Sequence, residues 1–265
     1  HTFSVNVNQD GRYESDETII VTLESFSGGT ASGLGASTTH TYTIDDDDAV
    51  PTVSFNTSTS STGEGEWGSI RVDVESSAVG LEATVDYTIA NGTASNSDYT
   101  STAGTLTFSE QNTYETISFH ASDDTYDEND ETVTFTLAAS GITNFALGTQ
   151  TTHQKTITDT DDPPTIGFAA TTATVAEDGS VTVTVDLSTA SGKDASVNYA
   201  VSGTATSGGT DHDAAAATLS YSAGTTTQSF TVTMTDDAID EDAETIILSL
   251  ASPSNCTVEA ANDTI

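Results

Sequence analysis

Asp123, Asp124, Glu128 and Glu131 fall within nine consecutive residues, and Asp159 and Asp161 follow at the end of the next apolar run. Carboxylates gathered this densely repel one another, and some must protonate unless a cation lies among them. The chain holds 4 Lys and Arg against 41 Asp and Glu, so its own side chains do not supply that charge. A metal ion does. Calcium takes six to eight hard oxygens at about 2.3–2.6 Å from carboxylates, carbonyls and water, and it accepts flexible geometry. The same spacing recurs at Asp236, Asp237, Glu241 and Glu244, and in reduced form at Asp10, Glu14 and Glu17, where Gln9 stands in place of an Asp. Solvated turns also favour Asp and Asn, and a Lys-poor acidic surface suits a halophilic coat. That bland reading covers scattered acids such as Asp73, Glu75 and Glu82. It explains less well why three copies keep one register.

The elements that must position these groups are strands. Asp237 follows Asp124 by 113 residues, Pro51-Thr52-Val53-Ser54-Phe55 returns as Pro164-Thr165-Ile166-Gly167-Phe168, and Thr105-Leu106-Thr107-Phe108 returns as Thr218-Leu219-Ser220-Tyr221. Such a period is too long for a solenoid unit and suits a seven-stranded β-sandwich. Within each copy apolar residues alternate with polar ones: Ile70, Val72, Val74; Val85, Tyr87, Ile89; Val133, Phe135, Leu137; and Val181, Val183, Val185, Leu187. Period two places one face in a core and the other in water. The expected fold class is all-β, a tandem array of immunoglobulin-like antiparallel sandwiches. Residues 1–48 carry the second half of a unit, 49–162 a complete unit, and 163–265 a unit that stops before its last strand. Such an arrangement implies either a fragment of a longer repetitive chain or subunits that complete one another by strand donation.

The order Glu-x-x-Gly, Gly-Thr-Ala, Asp-Tyr, Gly-Thr-Leu-x-Phe, Asp-Asp-x-x-x-Glu-x-x-Glu-Thr, and Asp-x-Asp before Pro resembles the Calx-β domain. This is the immunoglobulin-like calcium-binding module of sodium/calcium exchanger regulatory loops, integrin β4 and giant bacterial adhesins. The resemblance implies Ca2+ ligands in the complete unit at Glu64 or Glu66, Asp98, Asp123, Asp124, the Tyr126 carbonyl, Glu128, Glu131, Asp159 and Asp161. In the last unit it implies Glu177, Asp211, Asp236, Asp237, the Ile239 carbonyl, Glu241 and Glu244. In the leading half-unit it implies Asp10, Glu14, Glu17, Asp46 and Asp47. Counting from Phe55 favours Glu64, and counting back from Gly68 favours Glu66. The Asp98-Tyr99 pair becomes Asp211-His212 in the last unit.

Other chemistries find little footing. A net charge of −37 excludes a nucleic-acid partner, which needs Lys and Arg to displace its counterions. No apolar run reaches the roughly 20 residues of a membrane-spanning helix, and no secretory signal is visible, which implies that one was removed or that this is an internal fragment. Gly63-Glu64-Gly65-Glu66-Trp67-Gly68 has dinucleotide-loop spacing but runs into the strand-like Ile70-Arg71-Val72 instead of a helix. The five histidines do not cluster in sequence, no G-x-S-x-G, H-E-x-x-H or P-loop occurs, and Cys256 has no internal partner for a disulfide. The expectation is a non-enzymatic calcium-binding segment of an extracellular or cell-surface adhesin or filament, stiffened by Ca2+ at the domain tips. Its partners would be neighbouring copies of the repeat. Two alternatives stay open: a calcium-sensing regulatory module of a membrane protein, and an acidic spacer without metal sites.

Overall fold

The computed structural model describes residues 2–25, 27–29, 33–75, 78–110, 112–238 and 241–265, and among them every regular element is a strand. The chain forms two compact units, His1–Ser122 with Glu131–Ile157, and Asp123–Asp130 with Thr158–Ile265. Thr, Val and Ile dominate the strands because their branched side chains suit a pleated surface.

The leading half-repeat supplies β1 (Arg12–Tyr13), β2 (Glu17–Thr22) and β3 (Thr39–Ile44). β2 and β3 form an antiparallel hairpin from Glu17↔Ile44 to Thr22↔Thr39. Ile20, Leu23 and Tyr42 remain exposed, as do Phe3, Val5 and Val7, so this hairpin has only part of a core.

The middle repeat contributes β4 (Thr52–Phe55), β5 (Thr59–Gly63), β6 (Trp67–Glu75), β7 (Ala78–Val79), β8 (Ala83–Asn91), β9 (Tyr99–Thr100), β10 (Gly104–Phe108), β11 (Tyr114–Ala121), β12 (Glu131–Leu137), β13 (Ala146–Leu147) and β14 (Thr152–Thr158). Two five-stranded sheets result, ordered β10-β8-β12-β14-β5 and β13-β4-β6-β11-β9. The alternating residues meet between them: Val53, Val72, Val85, Phe108, Phe119, Val133 and Phe135 are all fully buried. Each such side chain contributes about 1.5–3 kcal/mol by leaving water. The sequence expectation of two-faced strands therefore holds at the residues that carried it.

The third repeat contributes β15 (Thr165–Phe168), β16 (Ser180–Leu187), β17 (Ala195–Gly203), β18 (Ala217–Tyr221), β19 (Thr227–Thr233), β20 (Ile246–Ser254) and β21 (Thr257–Val258), in sheets ordered β19-β16-β15-β21 and β18-β17-β20. Ile166, Val185, Val197 and Tyr221 centre its core, and the Tyr221 hydroxyl donates to the Val185 carbonyl at 2.8 Å. Asp263–Ile265 runs beside β20, with Leu248 and Ile265 exchanging backbone bonds of 2.9 and 3.1 Å. A cavity of about 910 Å3 opens beside β20, lined by Val181, Met234 and Ile246 and by the carboxylates of Glu177, Asp211, Glu241 and Glu244.

Two polar residues sit inside the middle core. His153 lies between the Thr57 carbonyl and the Ser60 hydroxyl, each 2.8 Å from a ring nitrogen. Lys155 donates to Ser60 Oγ at 3.1 Å and the Ser61 carbonyl at 3.0 Å. Burial lowers the pKa of His153 most; the Lys155 charge lowers it further, against the Thr57 bond. The unfolded chain, with an ordinary histidine near 6.5, therefore binds more protons than the fold as pH falls through that value. Stability attached to neutral His153 is full above about pH 6.5 and is lost below it. In saturating calcium, denaturant unfolding should show the unsubstituted chain losing stability relative to His153→Gln between pH 7.5 and 5.5. Parallel pH profiles would contradict this reading.

Candidate metal centres

In the third repeat, Asp211, Glu241 and Glu244 each offer a carboxylate oxygen within 4.8 Å of the others. Asp211 is set by its backbone: its N–H donates to the Thr206 carbonyl at 3.1 Å, its carbonyl accepts from Thr235 N–H at 2.9 Å, and its Oδ2 accepts from Thr206 N–H. Burial raises the pKa of Glu241, and the charges of Asp211, Asp237 and Glu177 raise it further. Glu244 is raised by burial, by a hydrogen bond with Asp211, and by the charges of Asp211, Glu241 and Glu177. Five expected ligands thus share one electrostatic neighbourhood. Asp236 is exposed and lines the adjoining cavity, and the expected Ile239 carbonyl lies outside the described residues. His212, replacing the tyrosine of the middle repeat, is buried and accepts from Ala214 N–H through Nδ1 at 3.1 Å. Tyr99 instead stacks on Phe119 with ring centroids 5.5 Å apart.

The first compact unit positions part of the middle repeat's set. Asp98 closes a turn in which Ser95 N–H donates to Oδ2 and Ser97 Oγ donates to Oδ1 at 2.9 Å. Burial works to raise its pKa, but the Ser95 backbone bond and side-chain bonds with Glu131, Ser95 and Ser97 win and lower it. Glu131 opens β12, so the Asp98 and Glu131 pair repeats the Asp211 and Glu244 pair at equivalent positions. Glu64 and Glu66 flank Gly65, whose φ of +75° turns the chain between β5 and β6. Glu64 is half-buried and Glu66 exposed.

The second unit holds the rest. An Asp124 carboxylate oxygen accepts from Tyr126 N–H at 2.7 Å, bending the loop back on itself, and Asp159 N–H donates to Asp130 at 3.3 Å. Asp161 is raised by burial first, then by the charges of Asp159, Asp123, Asp124 and Asp127. Asp127 is a residue that sequence reasoning missed. Only 3% exposed, it accepts from Lys193 Nζ at 2.6 Å, and Lys193 stands 3.5 Å from Asp159. Its signal was present in the repeat, since Asp240 occupies the same place in the next copy. One lysine does not satisfy five acids. Asp127 Oδ2 and Asp161 Oδ2 are buried without a hydrogen-bond partner, as expected of oxygens shaped to a cation.

The half-repeat reproduces the arrangement in outline. Asp46 N–H donates to Asp16 at 3.1 Å, as Asp159 does to Asp130. Gln9 donates through Nε2 to Asp47 at 2.7 Å, so a neutral amide occupies the place of an acid. Arg12 N–H donates to Asp10 at 3.1 Å. Asp48, which sequence reasoning also passed over, is raised by burial and then by Asp46, Asp47 and Asp10, against the Arg12 backbone bond. It lies 113 residues before Asp161 and behaves like it. Glu14 and Glu17 line the same acidic hollow as Asp46, Asp47 and Asp48.

Among solved structures, CBD12 from CALX1.2 is 17% identical with a TM-score of 0.40, over 77% of this chain and 80% of that one. The calcium binding domain CBD12 of CALX1.1 is 18% identical with a TM-score of 0.38, over 76% of this chain and 79% of that one. The apo-form Calx CBD1 domain is 22% identical with a TM-score of 0.39, and 43% of this chain covers all of it. No curated protein matches the chain. The family model of the Calx-beta domain matches residues 1–48, 45–161 and 159–264, and the chain belongs to the Calx-beta domain family.

Proposed function

We propose that this chain is a non-enzymatic, calcium-binding segment of a large extracellular or cell-surface adhesin or filament, whose tandem domains stiffen when Ca2+ fills the acidic loops. The observation that carries the reading is Asp161. One of its oxygens is buried and unpartnered while four other aspartates raise its pKa, an arrangement that is costly until a divalent ion joins it.

In the second unit, Asp123, Asp124, Glu128, Asp159, Asp161 and the Tyr126 carbonyl would hold the ion. In the third repeat, Asp211, Glu241 and Glu244 would do so, with Glu177 and Asp237 beside them. Glu64, half-buried, is the better candidate than Glu66 in the turn after β5. The ion supplies positive charge, and the protein's own groups pre-arrange the oxygens: the Asp124 and Asp98 turns fix direction, and Lys193 holds Asp127 in place. At calcium 100 times the dissociation constant, mass action stabilises the fold by about 2.7 kcal/mol per site. That is comparable with a disulfide, a bond that the lone Cys256 cannot make within the chain.

Calorimetric titration of the whole chain with calcium, and with magnesium as control, tests the proposal. Calcium should bind at more than one site with a dissociation constant near 0.1–1 mM, the range of extracellular modules. Submicromolar affinity would move the reading to a regulatory sensor, and equal weak binding of both ions would leave only an acidic spacer.

A further inference from the structure

The same glycine contact appears twice in this chain. Ala78-Val79-Gly80-Leu81 and Ala190-Ser191-Gly192-Lys193 are equivalent segments, each just ahead of the strand that begins at Ala83 or Ala195. In the first, the turn pairs in parallel with the acidic loop of the preceding half-repeat, Arg12↔Ala78 and Tyr13↔Val79. In the second, Gly192 N–H donates to the Asp127 carbonyl at 3.1 Å and Ser191 Oγ to the same carbonyl at 3.0 Å. Tyr13 and Asp127 are equivalent, so two sequence-distant joints use one pairing.

Each glycine bears on a glutamate expected to ligate. A Cβ on Gly80 would stand 2.5 Å from Glu14 Cγ and 2.8 Å from the Tyr13 carbonyl oxygen. A Cβ on Gly192 would stand 2.5 Å from Glu128 Cγ and 2.9 Å from its Cδ. Neither glycine has a positive φ, so the backbone does not itself demand glycine at these sites. What disfavours a larger residue is the neighbouring acidic loop: the Glu128 side chain at Gly192, and the Glu14 side chain together with the Tyr13 carbonyl at Gly80. The flanking positions change together as well: Asp127 and Lys193 form an ion pair in one joint, and the same two positions carry Tyr13 and Leu81 in the other.

We infer that Gly80 and Gly192 are positioning residues contributed by one repeat to the acidic loop of the repeat before it, so that each loop reaches its ion-binding geometry only when docked on the following Ala-x-Gly turn. This rests on the calcium reading, but the docking is measurable without the ion.

The experiment uses the whole chain with Gly192→Ala, Gly80→Ala and, as control, Gly35→Ala, where a Cβ meets nothing within 4 Å. Gly192→Ala should weaken calcium binding at one class of site roughly 10- to 100-fold, the usual effect of losing a group that orients a ligand. Gly35→Ala should not. Because the effect passes through Glu128, Gly192→Ala should add nothing further in a Glu128→Ala background. In chelator, hydrogen exchange at the amide of position 192 should lose protection in the Gly192→Ala chain. Unchanged calcium affinity with unchanged protection overturns the inference, and so does a full additional loss in the Glu128→Ala background. If the unsubstituted chain binds no calcium, the proposed function fails by itself, and the exchange measurement in chelator still decides whether the joint exists.

Discussion

Glu244→Gln is expected to abolish the calcium-dependent rise in melting temperature of the third repeat, and Glu131→Gln or Asp124→Asn that of the middle repeat, while Glu82→Gln leaves both intact. Glu244 meets Asp211 by a hydrogen bond and offers an oxygen within 4.8 Å of one from Glu241, so its substitution would remove one of the proposed ligands and weaken the hydrogen bond to Asp211. Glu82 is an exposed acid whose backbone carbonyl accepts from Asn144 Nδ2 at 2.8 Å. With about 2.7 kcal/mol at stake per site and roughly 4–8 °C per kcal/mol in a domain of about 100 residues, the lost increment is of order 10 °C. Scanning calorimetry of each variant with calcium and with chelator reads it directly. If Glu82→Gln costs as much as Glu244→Gln, diffuse screening of a charged surface accounts for the stabilisation, and the site assignment falls.

The largest effect on the fold itself is expected from Phe119→Ala. Phe119 is fully buried on β11, stacks on Tyr99, meets Phe135 edge-on with centroids 6.2 Å apart, and carries Lys155 Nζ 5.6 Å above its ring. Truncation leaves a cavity between β11 and β12, inner strands that are each hydrogen-bonded on both sides and cannot collapse into it. A loss of about 3–5 kcal/mol follows, enough to unfold a domain of ordinary stability. Lys155 also loses the ring that faced it. Denaturant unfolding followed by the lone Trp67, which opens β6 in the same sheet, measures the cost. A change below about 1 kcal/mol would mean that the middle core is looser than its burial indicates.

Much of this is legible in the sequence. Period-two alternation at Ile70, Val72, Val133 and Phe135 is a local signal, because each residue's face follows from its neighbours' parity along the strand. The 113-residue repeat placed the acidic segments between strands, and β11 and β12 do flank Asp123 to Asp130. Residue type alone hid other features. Lys155 and His153 alternate in step with Ile157 and enter the core, where their donors meet the Ser60 hydroxyl and the Thr57 and Ser61 carbonyls, contacts made across about 95 residues of chain. Asp48 looked like one member of a four-aspartate run until Asp10 and Asp46 were found beside it.

The chain's sequence by itself determined that this is a calcium-module-like array of all-β repeats, because strand periodicity, turn residues and repeated acidic spacing are written in short stretches of chain. Only the tertiary structure decided which acids share a site, that Asp127 and Lys193 pair, and that Gly80 and Gly192 bear on Glu14 and Glu128. The last two relations join residues about 65 positions apart, and the acids of one site come from segments about 30 positions apart. Electrostatic repulsion and steric contact depend on distances of a few ångströms through space, which a linear spacing does not encode.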